Sequence, residues 1–443
     1  MRLPISEVAG AMGGSLVGVE GDPVISEVVT DSRRVSPGAL FVALRGERLD
    51  GHDFDRQALS AGAVAVVTER GASLAEPRLE VDHTGQALRD LAALVRSRLE
   101  VPVLAVTGST GKTSTKDLLA GALGPGTWAA PHSYNNEVGV PLTVLGAPDD
   151  AESVVLEVGS RGKGHIAWLA PVVDPWVAVL TNVGVAHLEA FGDLEAVAEA
   201  KWELMEALRP GGVGVIPAED ERLMSRELAA RLTFGVSPAA DVAVEGVHLD
   251  DRARPSFHLR TPSGHGEVHL SMAGAHQALN AAAATAAALA VGRSLEEVVP
   301  GLEKASGSPW RMEVHAGRFV VVNDAYNANP ASMSSALETV AAIPGRHLAV
   351  LGRMAELGPA AREEHLRIGR LAARLGYAAL VVVGEDPGLA EGASGLARPA
   401  GELEQGWELL ADLVKPGDVV LVKGSRVVGL ERLAERLVEE AGR

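Results

Sequence analysis

The sequence predicts an α/β protein of three domains, two of them built on parallel sheets. Three observations carry that prediction. The chain has 443 residues, and domains of about 150 residues are the common size. From Pro102 onward, apolar runs of strand length alternate with helical segments, the pattern of strands joined by helical crossovers. The alternation breaks near SGSPWR (306–311) and then starts again.

Taken in order, residues 1–98 hold short strand and turn patterns: VISEVVTDSRR, GALFVALRGERLDGHDF and GAVAVVTE. The pattern changes around Glu100-Val101-Pro102. The second domain, 99–307, contains the runs VPVLAVTG, SVVLEVG, WVAVLTN and GGVGVI. The third, 308–443, contains FVVVND, HLAVLG, ALVVVGED and DVVLVKGSR. In open α/β sheets, ligands bind beyond the carboxyl ends of the strands. Those ends carry Gly108 to Thr113, Glu157 and Thr181-Asn182 in the second domain, with His187 just beyond. In the third they carry Asn323-Asp324, Gly352-Arg353, Glu385 and Lys423 to Arg426. Two such polar faces can close on one ligand.

Composition narrows the function. The net charge of −18 argues against a nucleic-acid partner, because DNA affinity comes mostly from neutralising phosphates. Small anionic substrates need only a local basic pocket. The chain has no cysteine, which excludes disulfides, thiolate zinc sites and a cysteine nucleophile. The start, MRLPISEVAGAMGG, shows no signal-peptide pattern. The most apolar stretch, AAAATAAALAVG (281–292), is shorter than the roughly 20 residues a bilayer span needs. A cytoplasmic monomer without membrane insertion is expected.

The chemistry starts at VLAVTGSTGKTSTKDLL (103–119). A standard phosphate loop reads G-x-x-x-x-G-K-[ST]. Here Val106 holds the first glycine position, and a shorter G-x-x-G-K-T opens at Gly108. Its physics is intact. Glycines let backbone N–H groups approach phosphate oxygens, and a helix N-terminus adds partial positive charge. Thr107, Gly108, Ser109, Thr110, Gly111, Lys112, Thr113 and Ser114 are the candidate nucleotide contacts. Lys112 would reach the β- and γ-phosphates, and the Thr113 hydroxyl would sit on Mg²⁺. The bland alternative is a glycine turn before a helix. A regulatory GTPase would need an Asn-Lys pair to read its base, and the chain has none.

Glu157 ends a strand, where a carboxylate can hold a hard cation; a solvated strand-end residue is the alternative. His187, in TNVGVAHLEAFG, is a weak Mg²⁺ ligand, and a lone loop histidine is commonly structural. Lys201 is more informative. The segment GDLEAVAEAKWELMEALRPGG has Asp193 as N-cap and a Pro-Gly-Gly stop. Lys201 falls on its apolar stripe with Leu194, Val197, Leu204, Met205 and Leu208. Two readings stand: a snorkelling lysine, or a desolvated neutral amine that captures CO₂ as a carbamate.

These residues resemble the Mur ligases of peptidoglycan synthesis. The shared features are GSTGKT, the strand-end Glu157, TNVGVAH and AKWE, and the resemblance covers the whole chain. It implies a central phosphate-loop sheet and a Rossmann-like final domain. TDSRRVSPGALFVALRGERLDGHDF looks like the uridine-nucleotide domain of the later ligases. NDAYNANPASM (323–333), LGRMAELG (351–358) and LVKGSR (421–426) look like the member that adds a dipeptide. DNPR, typical of the diaminopimelate-adding form, is absent. Folylpolyglutamate synthetases lack the first domain.

The resemblance therefore implies ATP-dependent joining of D-alanyl-D-alanine to UDP-N-acetylmuramoyl-tripeptide through an acyl phosphate. It also implies roles for residues. Lys112, Glu157, His187 and a carbamylated Lys201 would be catalytic, with Thr113, Glu157 and His187 on Mg²⁺. Asn182, Asn280 and Arg311 would lie on the adenine side, and Asp324 on the ribose. Ser32 and Arg33 would contact the uridine nucleotide; Tyr326 and Asn327 would contact substrate. Pro217, Gln277, Trp310 and Arg353 depart from the family pattern. A nucleotide-switched scaffold remains the alternative class.

Overall fold

The computed structural model describes residues 2–46, 49–72, 75–130, 133–184 and 191–442. Residues before Val103 form a five-stranded sheet in the order Ser15–Val17, Arg78–Val81, Ala65–Glu69, Ala39–Val42, Glu27–Val29. The helix Thr84–Arg98 then leaves this sheet and packs on the helices Gly139–Leu145 and His165–Val173 of the next unit. Arg96 fixes the join. It is 2% exposed, and its guanidinium donates to the carbonyls of Val173, Leu99 and Asp174. A buried charge is tolerated only with such partners.

The central sheet has nine strands. Seven are parallel, in the order Val242–Leu249, Arg231–Gly235, Val213–Pro217, Val177–Leu180, Val103–Thr107, Ser153–Glu157, Thr127–Ala129. Pro255–Thr261 and Gly264–His269 extend the sheet antiparallel at one edge. Val103–Thr107 is buried at every position, as a central parallel strand covered on both faces should be. The chain crosses to opposite sides of this strand, so a topological switch point opens at its carboxyl end.

The alanine-rich run is the buried helix Gln277–Ala290, packed on Lys112–Leu123, the helix that follows the phosphate loop. Lys112–Leu123 also packs on Leu295–Lys304. There Gly121 and Gly301 meet backbone to backbone: a Cβ on Gly121 would lie 2.6 Å from the Gly301 carbonyl oxygen. Asp193 caps Leu194–Glu206 through the Ala196 N–H. Of the predicted stripe, Leu194 is 36% exposed because it is the first helical residue, while Val197, Lys201, Leu204 and Met205 are buried.

The last unit is a six-stranded sheet in the order Glu313–His315, Val320–Asn323, Asp418–Lys423, Arg346–Gly352, Ala379–Val383, Ala397–Ala400. Only the first pair is antiparallel. The linker into it is pinned by Asp117, on the phosphate-loop helix, which accepts from the Ser308 N–H and hydroxyl at 2.9 and 2.7 Å. Trp310 and Met312 just beyond have φ of +61° and +53°, a backbone region that bulky residues rarely adopt. Among the described residues, no helix is long and apolar enough to cross a membrane.

Candidate active site

The strand Val103–Thr107 runs into Gly108 with φ +148°. A Cβ there would overlap the Thr181 hydroxyl, so only glycine lets the loop close on the neighbouring strand end. The segment Thr181–Gly184 then clamps the loop. Thr181 Oγ1 donates to the Thr110 carbonyl at 2.6 Å. Asn182 Oδ1 accepts from the Thr110 N–H, and its Nδ2 donates to the Thr110 hydroxyl at 2.9 Å. Ser109 and Gly184 exchange bonds the same way. Asn182, expected on the adenine side, lines the same cleft, and both ends of its amide are engaged by Thr110.

Ser109, Thr110, Gly111, Lys112, Thr113 and Ser114 line a cleft of about 620 Å³, which the last unit's strand ends close from the other side. Thr107 and Gly108 lie behind this lining. Lys112 curls over its own loop, donating to the Gly108 carbonyl at 2.7 Å. Burial and the charge of Arg311 pull its amine down, and Glu157 opposes them.

Glu157 is 1% exposed. It accepts from the Thr113 hydroxyl at 2.7 Å and from the Asn135 amide at 2.6 Å. Ser133 Oγ lies 3.2 Å from Thr113 Oγ1. These are hard oxygen donors on neutral partners, which fit a hard divalent cation. No group of three His, Asp or Glu among the described residues forms a metal cage. That sparse set suits Mg²⁺, which takes one or two carboxylates and fills its shell with phosphate and water. His187 lies outside the described residues.

Lys201 is 2% exposed and makes no hydrogen bond or ion pair among the described residues. Burial, and then repulsion by Lys112, bring its amine from 10.5 to about 7. The snorkelling alternative does not hold, because the amine stays inside.

Asn280 sits beneath Gly111 and is held by Gln277, whose Oε1 accepts its Nδ2 at 2.8 Å. Arg311 stacks 4.1 Å over Tyr326 and donates to the Ser133 hydroxyl. Asp324 accepts from the buried Lys423 at 2.6 Å and from the Met312 N–H. Lys423 also donates to the Asn327 carbonyl at 2.8 Å. Asn280, Arg311, Asp324, Tyr326 and Asn327 all line the same cleft.

Ser32 and Arg33 do not join it. Ser32 bonds Gln57 within the first unit, and Arg33 pairs with Asp31, holding that carboxyl at about 2. Arg353 and Glu385, seen as strand-end charges, pair with each other beside a second cavity. Of the departures, Pro217 and Gln277 line the cleft, and Trp310 lies under the Arg426 guanidinium at 4.5 Å. Sequence reasoning missed Ser133, Asn135, Arg161, His165 and His276. The first two come from SYNNEVGVP (133–141), whose paired asparagines before a helix were the available signal.

A phosphate loop at the switch point of one parallel sheet, faced by the strand ends of a second, defines an ATP-dependent ligase of the two-sheet kind. The chain belongs to the Mur ligase family. The model of the Mur ligase family catalytic domain matches residues 24–96. The Mur ligase middle domain matches 106–288, and the Mur ligase glutamate ligase domain 310–426. The chain is 38% identical to the UDP-N-acetylmuramoyl-tripeptide–D-alanyl-D-alanine ligase of Mycobacterium tuberculosis, over 99% of this chain and 98% of that one. It superposes on the UDP-N-acetylmuramoylalanyl-D-glutamyl-2,6-diaminopimelate–D-alanyl-D-alanyl ligase of Acinetobacter baumannii with a TM-score of 0.87, at 32% identity over 99% of both chains. The MurF ligase of Thermotoga maritima, solved with ADP, gives 0.82 at 31% identity, over 94% of this chain and 97% of that one.

Proposed function

We propose that the chain joins D-alanyl-D-alanine to the terminal carboxylate of UDP-N-acetylmuramoyl-tripeptide with ATP. The observation that carries this is the single cleft in which the phosphate loop, Glu157 and Lys201 face the last unit's polar strand ends. Full-length relatives with that named activity support it.

The carboxylate oxygen attacks the γ-phosphorus and ADP leaves. The dipeptide nitrogen then attacks the carbonyl carbon of the acyl phosphate; phosphate leaves, and the nitrogen gives up its proton to solvent. The first step brings anions together, so charge neutralisation and alignment dominate its barrier. Lys112 and Arg311 supply positive charge to the transferring phosphoryl group. Backbone N–H groups from Gly111 onward cradle it. Thr113 and Glu157, with His187, would hold Mg²⁺, which neutralises phosphate charge when bound. Asn182 holds the loop in shape. At a pKa near 8 about a tenth of a peptide amine is free at pH 7, so no strong base is required.

Lys201, its amine lowered to about 7 and so about half neutral at pH 7, takes up CO₂ in its neutral form with loss of one proton to give an anionic carbamate. Repulsion by Lys112 then becomes attraction, and the new anion faces the cation site. Asn280, Asp324, Tyr326 and Asn327 contact the nucleotide and substrates, and Ser32 and Arg33 the uridine nucleotide. In this reading residues 1–98 hold the uridine nucleotide, 99–307 the ATP, and 308–443 the dipeptide and ribose.

The test is phosphate release with ATP, Mg²⁺ and the tripeptide nucleotide, comparing D-alanyl-D-alanine with single amino acids, and product mass. Faster coupling of a single diamino acid to the dipeptide nucleotide would move the chain to another step. ATP turnover that needs neither carboxylate nor amine would favour a switched scaffold.

A further inference from the structure

One lobe of the cleft is left unused by this chemistry. It opens past Glu157, where Ser160, Arg161 and His165 line the wall next to Asn135 and Asn136. Among the described residues lining this lobe, Arg161 is the one lysine or arginine. Elsewhere in the cleft the positive groups have partners: Lys112 donates to the Gly108 carbonyl, Arg311 to the Ser133 hydroxyl, Lys423 is paired with Asp324, and Arg426 with Glu431.

Arg161 is held ready. Glu137 accepts from one of its terminal nitrogens at 3.2 Å, and no other hydrogen bond to the guanidinium occurs among the described residues. The backbone N–H of Arg161 donates to His165 Nδ1 at 3.1 Å. That leaves the His165 proton on Nε2, 3.3 Å from the other Glu137 oxygen. Glu137 thus holds Arg161 through one oxygen, while its other, buried and without a hydrogen-bond partner, lies beside His165; the rest of the guanidinium fork is open. A planar fork with free N–H groups matches a carboxylate in two-point contact.

Arg161 is four residues past Glu157, so its Cα lies within about 14 Å of Glu157 along even a fully extended chain. An acceptor peptide of the kind named for the Acinetobacter relative carries spare carboxylates. Its glutamyl residue keeps one after forming two chain bonds, and 2,6-diaminopimelate keeps one beyond the carboxylate that is activated.

We propose that Arg161, held by Glu137 and with its backbone N–H bonded to His165, binds a second carboxylate of the acceptor peptide and selects for it. This rests on the function proposed above. The shared chemistry is a peptide carboxylate that does not react, and its two sources can be told apart. The experiment measures kcat/KM for three tripeptide nucleotides: the diaminopimelate form, the form with lysine in its place, and the diaminopimelate form with the glutamyl carboxylate amidated. The full-length protein is used, as wild type, Arg161→Gln and Arg161→Lys.

The wild type should lose at least tenfold, through KM, on one of the two neutralised substrates. Loss with lysine assigns the side-chain carboxylate; loss with the amide assigns the glutamyl one. Arg161→Gln should erase that discrimination, and Arg161→Lys should restore part of it. Equal kcat/KM on all three substrates in the wild type would overturn the inference. So would discrimination that survives in Arg161→Gln. A wild type that ligates none of them would overturn the function itself, and the inference with it. Arg161 has a 67% exposed side chain, so its replacement leaves the fold intact.

Discussion

Lys112 spends its charge on its own loop when no phosphate is present. Lys112→Ala should lower ligation by at least about 100-fold, the scale for removing a preorganised charge contact. Its melting temperature should stay the same or rise, because burial disfavours the charged amine. Ligation assays and thermal melts on one preparation check both, and ligation at a near-normal rate would remove the loop from the mechanism. Lys201 makes a prediction about pH. Its amine is lowered from 10.5 to about 7, so between those values the unfolded chain holds a proton that the folded chain lacks. Stability from this group therefore rises with pH across that window, and at pH 7 and below the group is destabilising. In CO₂-free buffer, Lys201→Met should melt higher than wild type at pH 7, and the gap should narrow toward pH 10. A gap that widens would mean that the amine is not desolvated. With bicarbonate present the same variant should be nearly inactive, and short carboxylic acids should partly rescue Lys201→Ala. Lys201 was legible because a lysine on an apolar helix stripe conflicts with its neighbours. Ser133 and Asn135 were not, because an irregular loop has no period to break. Asn182 was legible as a strand-end residue, but its hold on Thr110 was not, because only the folded loop brings the two together.

Four of the central parallel strands, Val103–Thr107, Ser153–Glu157, Val177–Leu180 and Val213–Pro217, read cleanly at the scale of elements because they are buried over most of their length and their sequences are continuous apolar runs; Thr127–Ala129 and Arg231–Gly235, less buried, did not. Nor did the strands from Val242 to His269. VAVEGVHL, PSFHLRT and GHGEVH expose much of one face, so charged residues interrupt each run and hide it among loops. The contact between Lys112–Leu123 and Leu295–Lys304 was equally hidden, because a glycine inside a helix reads as a weakness. It is instead what lets the phosphate-loop helix approach its neighbour. Gly301→Ala would gain up to about 1 kcal/mol of helix propensity. It would also drive a Cβ into the Gly121 carbonyl, and overpacking of this kind costs about 1–3 kcal/mol. The clash should win, lowering the melting temperature by several degrees and weakening nucleotide binding. An unchanged melting curve would show that the helices simply slide apart.

Across the whole molecule, the first two units share an interface built on Thr84–Arg98 and the buried Arg96. The third joins through a linker held by Asp117 and Ser308, through the Arg311–Ser133 bond, and through Ala253 and Leu249 packed into its core. Calorimetry without ligand should show two transitions, the larger one covering the first two units. Nucleotide and acceptor peptide, by bridging the cleft, should draw the transitions together; a single ligand-free transition would contradict this. Arg96 has a further consequence for dissecting the gene. A break after residue 98 would strand a guanidinium that needs three carbonyls from across the join, so a polypeptide ending there should be poorly soluble. A break between Gly307 and Pro309 severs only a tether. Two polypeptides encoded on either side of it and expressed together should each fold, and they should recover ligation when mixed with both substrates. The chain should thus divide into a working pair at one place, and the side chain of Arg96 argues against the other.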